Sequence, residues 1–221
     1  MEKSPSLLVM GNEKLSASVA HFDIPPIVSC PGRSTLCAAR CYARRGLFVL
    51  PQVKARHRWA FEQTKRPDFV GRMADELFRS AVLLMRWHVA GDIYSPGYCR
   101  KIASVVEQSP HTLHWAYARS WRIPQIAKVL RKLARLPNMQ LWYSCDAETG
   151  KPRRVPHGVR VAWMLIREGE AVPKGSDLVF LDHPLRKGAI ELPTVAPVCP
   201  QEIAGNPRGI TCATCQLCWR E

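Results

Sequence analysis

Apolar residues recur at helical spacing in the first part of this chain and at strand spacing after it. "PQVKARHRWAFEQTK" (51–65) and "PDFVGRMADELFRSAVLLM" (67–85) place apolar side chains at i, i+3 and i+4, which predicts two amphipathic helices. Each begins at a proline, a residue suited to the first helical turn. Ahead of them, Ser34 is the first residue able to cap a helix through "TLCAARCYARR", ending at Gly46. Residues 1–29 read as an irregular entry broken by Pro25 and Pro26.

From residue 86 the pattern changes. Strands are predicted at 86–92 ("RWHVAGD"), 112–120 ("TLHWAYARS") and 139–146 ("MQLWYSCD"), with helices between them at 95–109 and 124–137. Two further strands, "VRVAWMLI" and "DLVFLD", follow with little helix between them. Strands alternating with amphipathic helices imply parallel βαβ units. Four strands end in polar residues: Gly91-Asp92, Arg119-Ser120, Cys145-Asp146 and Asp182-His183. In parallel sheets and barrels those ends carry the site. The expected fold is a single α/β domain over 1–221, a partial or complete β/α (TIM-like) barrel. Cysteine-rich segments at 30–41 and 199–218 lie toward its two ends.

Charge changes the picture more than composition does. Hydrophobic content of 47% is that of an ordinary globular chain, but 32 Lys+Arg against 18 Asp+Glu leaves +14. Such an excess favours a polyanionic partner, DNA or RNA, through counterion release. The longest apolar run, "AVLLM" at 81–85, is too short to span a bilayer, and "MEKSPSLLVMGNEK" lacks a signal-peptide pattern. The expectation is a cytoplasmic protein with no membrane partner. Thiols there stay reduced, so its nine cysteines point to metal before disulfides.

Seven of those cysteines form two groups. Cys212, Cys215 and Cys218, with Cys199-Pro200 upstream, have the spacing of ferredoxin-type [4Fe–4S] ligands. A four-thiolate zinc site is the alternative. Cys30, Cys37 and Cys41 are spaced C-x6-C-x3-C, and three ligands leave one iron of a cubane open to a small molecule. Cys99, Cys145 or a C-terminal cysteine could close that site. Cys99 and Cys145 otherwise read as buried small hydrophobes.

The combination "CPG…C…CYA", "HVAGDIYSPGY", a strand ending "YARS" and the C-terminal C-x-x-C-x-x-C resembles the phage and plasmid "gene product eighty-eight" family. The likeness runs from "GNEKLS" (11–16) to the end. More distantly the chain is similar to radical S-adenosylmethionine (SAM) enzymes. It departs from their C-x3-C-x2-C pattern, since the third position falls on Arg44. The resemblance implies that Cys30 replaces the missing ligand, that Tyr42 lies near the cluster, and that Gly91-Asp92 meets the amino group of SAM. An electron donor such as a ferredoxin or flavodoxin would then be a partner.

Lys and Arg are concentrated in two stretches. Residues 33–66 hold nine of them, including Arg44, Arg45, Lys54, Arg56 and Arg58, against the single acid Glu62. Residues 119–135 hold six, including Arg119 and Arg122, and no acid. Interleaved aromatics, Trp121 above all, suit stacking of single strands or flipped bases. Three functions compete: a radical SAM-like enzyme acting on nucleic acid, a non-catalytic iron–sulfur nucleic-acid binder, and a hydrolase using Asp92, Asp146, Asp182 and His183. No paired-carboxylate motif supports the third.

Overall fold

The computed structural model describes residues 5–12, 14–188, 190–203 and 209–220. Its seven-stranded sheet follows chain order. β1 (Val9–Met10) pairs antiparallel with β2 (Val19–Phe22). β3 (Leu84–Trp87), β4 (Leu113–Ala118), β5 (Met139–Cys145), β6 (Val159–Leu165) and β7 (Leu178–Leu181) follow, each parallel to its predecessor. Adding every strand on the same side is the winding of a β/α barrel. Among the described residues, however, β7 takes only a parallel bridge from Val198 and does not pair with β1. The sheet is open, and closure into a complete barrel is not shown.

Crossovers in one direction put the long helices on one face. α1 (Thr35–Arg40), α2 (Pro51–Lys65) and α3 (Phe69–Arg79) lie between β2 and β3, α4 (Pro96–Gln108) follows β3, and α5 (Pro124–Leu133) follows β4. Alternate strand residues, among them Phe22, Met85, Trp87, Ala116, Leu141 and Val161, form one core with Met73 and Leu77 of α3, Ile102 of α4 and Leu130 of α5. The other face carries Trp115, Trp142 and Leu178. It is covered by Leu15 and by the C-terminal segment, whose helix α6 (Cys212–Cys215) contributes Cys212, with Cys218 beyond it.

The predicted helices between 51 and 133 form, and four other readings are adjusted. The helix begun at Ser34, whose Oγ accepts from the Cys37 amide at 2.9 Å, stops at Arg40 rather than Gly46. The chain then makes two short 3-10 turns, Tyr42–Arg44 and Gly46–Val49, and the Tyr42 hydroxyl donates to the Val89 carbonyl. "AVLLM" is divided: α3 ends at Arg79, Ala81 turns with φ 47°, and the strand begins at Leu84. That strand ends at Trp87, so "HVAGD" is loop. The entry read as irregular contains β1 and β2. β2 is only four residues long and wholly buried, so it shows no alternation.

Candidate metal centre

The segment after β2 folds across the carboxyl ends of the strands. Gly32 lies so close to Arg119 that a Cβ would stand 2.3 Å from its carbonyl oxygen, and Arg122 donates to the Gly32 carbonyl at 3.2 Å. Glu148, from the loop after β5, accepts from the Thr35 and Leu36 amides at 2.9 and 2.8 Å. Ser34 Oγ donates to Asp146 at 2.7 Å, and Arg40 pairs with Asp182 at 3.4 Å. The segment bearing Cys30, Cys37 and Cys41 is thus tied to β4, β5 and β7.

Beneath it lies a buried polar network. Asp92 Oδ2 accepts from the Arg119 amide, the Ser120 amide and Ser120 Oγ at 2.9, 2.9 and 2.8 Å, while Oδ1 accepts from the Ile93 amide at 2.6 Å. Burial outweighs these bonds and pushes the carboxyl up to about 6. Gly91 has φ +93°, and a Cβ there would stand 2.4 Å from Ile24. Arg119 donates to Asp146 and, at 3.0 Å, to Ser144 Oγ. Burial alone would raise the Asp146 carboxyl, but Arg119, Ser34 and the Thr149 and Glu148 amides hold it below its ordinary value. Asp23, at the end of β2, completes the layer by accepting from the Val89 amide at 2.6 Å and pairing with His21 at 2.7 Å.

Cys30 and Cys37 lie within electrostatic reach of this network. Burial pushes Cys30 up to about 12, and the Asp92 charge adds to the shift. Burial also raises Cys37, with Arg119 opposing, and Cys41, with the Ala43 and Arg44 amides turned onto its sulfur. Thiols so placed ionise when a metal takes the proton's place.

The C-terminal thiols Cys212 and Cys218 lie on the sheet face away from the helix-side core. Cys199, Cys212 and Cys218 are buried and Cys215 is half-buried. Around them the chain gathers cations. Lys14 Nζ sits 2.8 Å from Glu202, and the Lys14 carbonyl accepts from the Cys212 amide at 2.9 Å. Burial disfavours the Lys14 charge, but Glu202 and Cys199 more than offset it. Arg86, on β3, lies 5.4 Å from the Tyr117 ring. Burial opposes its charge too, yet Tyr42, Cys212, Tyr117 and Cys218 hold it firmly protonated. Among the described residues its Nε has no hydrogen-bond partner, and the Tyr117 hydroxyl is turned toward the Cys218 sulfur. Burial drives Cys199 up to about 12 against the pull of Lys14. Among the described residues no three Cys, His, Asp or Glu side chains converge tightly enough for a single metal ion.

Other predicted site residues take structural posts. Cys99 and Cys145 belong to the helix-side core, with Cys145 in electrostatic reach of Arg119 and Asp146. Arg119 is 5% exposed and paired with Asp146, so it is not a free phosphate contact. Trp121 is not a free stacking platform: one ring face stacks on Tyr143 at 5.6 Å and its Nε1 donates to the Ser144 carbonyl at 3.0 Å. Arg56 donates to the Ser6 and Leu7 carbonyls at 2.6 and 2.8 Å and stacks on Trp59. Arg44, Arg45, Lys54 and Arg58 are exposed. Sequence reasoning missed Lys14 and Arg86; the one available signal was a lone arginine in the apolar strand "LMRW".

No helix among the described residues is long and apolar enough to cross a membrane. No solved structure matches the chain. It is similar to the Gene 88 protein of Mycobacterium phage L5, 30% identical over 205 residues that cover 86% of this chain and 77% of that protein. It is also 29% identical over 207 residues to the Gene 88 protein of Mycobacterium phage D29, covering 86% and 78%. Residues 6–221 match the family described as Gene product 88, and the chain belongs to that family.

Proposed function

We propose that this is an iron–sulfur protein of radical SAM-like layout that works on or with nucleic acid. The observation that carries the cluster is the placing of buried Cys199, Cys212 and Cys218 around the cations Lys14 and Arg86. A [4Fe–4S] cluster held by four thiolates is an anion, and Arg86, with Lys14 shared with Glu202, reduces the cost of burying it. The Arg86 Nε, without a partner among the described residues, and the Tyr117 hydroxyl, turned toward Cys218, are donors suited to cluster or cysteine sulfur. A zinc ion needs its ligands to converge on one point, whereas a cubane spreads them over separate irons. Cys199, Cys212, Cys215 and Cys218 would hold this cluster and Cys30, Cys37 and Cys41 a second. Such clusters supply one-electron transfer.

One observation favours the non-catalytic reading, in which the clusters are structural or redox-sensing. The Asp92 carboxylate, whose part in the SAM reading is to take an ammonium, already accepts four bonds from Ile93, Arg119 and Ser120. It joins the ends of β3 and β4. Support for nucleic acid is the +14 charge and the exposure of Arg44, Arg45, Lys54 and Arg58 beside the Cys41 segment.

Anaerobic purification with iron and sulfide quantification tests the cluster. The protein should be brown, with roughly four irons and four sulfides per cluster. Cys199→Ser and Cys218→Ser should lose iron, while Cys99→Ala and Cys145→Ala retain it. A colourless protein with stoichiometric zinc overturns the proposal. A change in the reduced cluster's paramagnetic resonance on adding SAM selects the enzyme; an unchanged spectrum selects the non-catalytic protein.

A further inference from the structure

A groove of about 800 Å³ opens between α2 and the turn that follows β2. Its walls are largely apolar, with Phe48, Trp59 and Phe61 inside and Val28 and Val49 at the mouth. Val28 is 76% and Val49 42% exposed, an uncovered apolar surface that points to an occupant. Arg44, Lys54 and Arg58 stand along the same groove. The one acid there, Glu62, is paired with Lys65 at 2.6 Å.

One polar group in the groove is unaccounted for. His57 is only 6% exposed, and among the described residues its ring nitrogens take part in no hydrogen bond. Its ring packs against Phe48 at 6.1 Å. Burial lowers its basicity, with the Asp23 charge opposing. A neutral imidazole offers one donor and one acceptor, the combination found on a base edge.

We propose that this groove seats single-stranded nucleic acid, with one base against the apolar wall and His57 and the flanking phosphates on Arg44, Lys54 and Arg58. The proposal rests on the nucleic-acid part of the function above and adds the site and the strandedness. Apolar walls with aromatics take an unstacked base, and cations along the rim follow its backbone. Bases in a duplex are paired and stacked and cannot enter. A bilayer surface would meet Val28 and Val49 at the mouth but leave the recess of Phe48, Trp59 and Phe61 unfilled, and acidic side chains offer nothing to that apolar wall. Since Ala43 and Arg44 stand two and three residues after Cys41, the bound strand would lie beside the first cysteine group.

The test uses the full chain and labelled oligothymidylate of about 12 nucleotides, a length within the range of single-strand sites, followed by fluorescence anisotropy. Replacing Arg44, Lys54 and Arg58 together by Gln should reduce the salt slope of binding by about 2. His57→Phe keeps the ring packing and should weaken binding roughly tenfold. A 5-iodouridine strand should crosslink to the peptide containing Phe48 or Trp59. A control triple, Arg100→Gln, Lys128→Gln and Lys132→Gln, removes the cations of the cleft between α4 and α5 and should leave the crosslink in place. If the wild type binds no oligonucleotide at low salt, the nucleic-acid reading itself fails. If it binds but only the control triple weakens it, or a duplex binds as tightly, the groove assignment fails alone. Vesicles of phosphatidylserine bound through the groove residues, with oligonucleotide binding unaffected by their loss, would also overturn it.

Discussion

Arg119→Met separates a structural role for this arginine from a nucleic-acid role. Arg119 and Asp146 have side chains 6% and 0% exposed, and their ion pair is reinforced by Ser34 at 2.7 Å and by the Glu148 and Thr149 amides at 3.1 and 2.9 Å. Removing the guanidinium leaves a buried carboxylate with those three neutral donors only. Breaking a buried pair from one side costs about 3 kcal/mol or more. For a chain of this size that loss is a drop of roughly 10 °C in Tm. The sign of the pH dependence follows from Asp146. In the wild type its folded pKa lies below the unfolded value, so its contribution is present above about pH 4 and lost as pH falls further. Without Arg119, burial raises that pKa instead, so the variant's deficit should be largest at pH 7 and shrink toward pH 4. Urea denaturation at both pH values measures it. A cycle with Asp146→Asn should show coupling of about 2 kcal/mol. An unchanged midpoint with weakened oligonucleotide binding would refute the argument and return Arg119 to the phosphate-contacting surface.

Two further outcomes follow from the same geometry. Gly32→Ala would drive a methyl into the Arg119 carbonyl and should destabilise by about 1–3 kcal/mol, whereas Gly71→Ala, with no atom within 4 Å of its Cβ, should stabilise by about 1 kcal/mol in thermal unfolding. Ser109 Oγ donates to the Val105 carbonyl, so His114 Nε2 donates to that oxygen, and its Nδ1 accepts from Trp87 Nε1 at 3.2 Å. Burial holds His114 down to about 3. Its contribution is therefore complete above the unfolded value near 6.5 and lost as pH falls, about 2 kcal/mol by pH 5. His114→Asn should flatten the fall of denaturation free energy between those pH values, and an unaltered slope would show that another group causes it.

Local chemistry was legible in the sequence. The helices α2 to α5 follow from apolar spacing, the start of α4 from Ser95-Pro96, and the cap of α1 from Ser34. β4 to β7 were bounded by turn residues, whereas β2 escaped notice because "VAHF" is short, buried on both faces and without a period. The cysteine spacings and the +14 charge are properties of composition and order, so no fold was needed to read them.

Which charges are free and which are committed was decided only by tertiary structure. Arg119 and Arg58 look alike in the sequence, but one lies buried against Asp146 and the other lines an open groove. Lys14 reaches the C-terminal cysteines through a partner 188 residues away, and Ser34 meets Asp146 across 112. No local pattern encodes such pairs. They arise because parallel strands added in chain order bring the carboxyl ends of β2 to β7 to one edge and leave the other face for the last segment to cover.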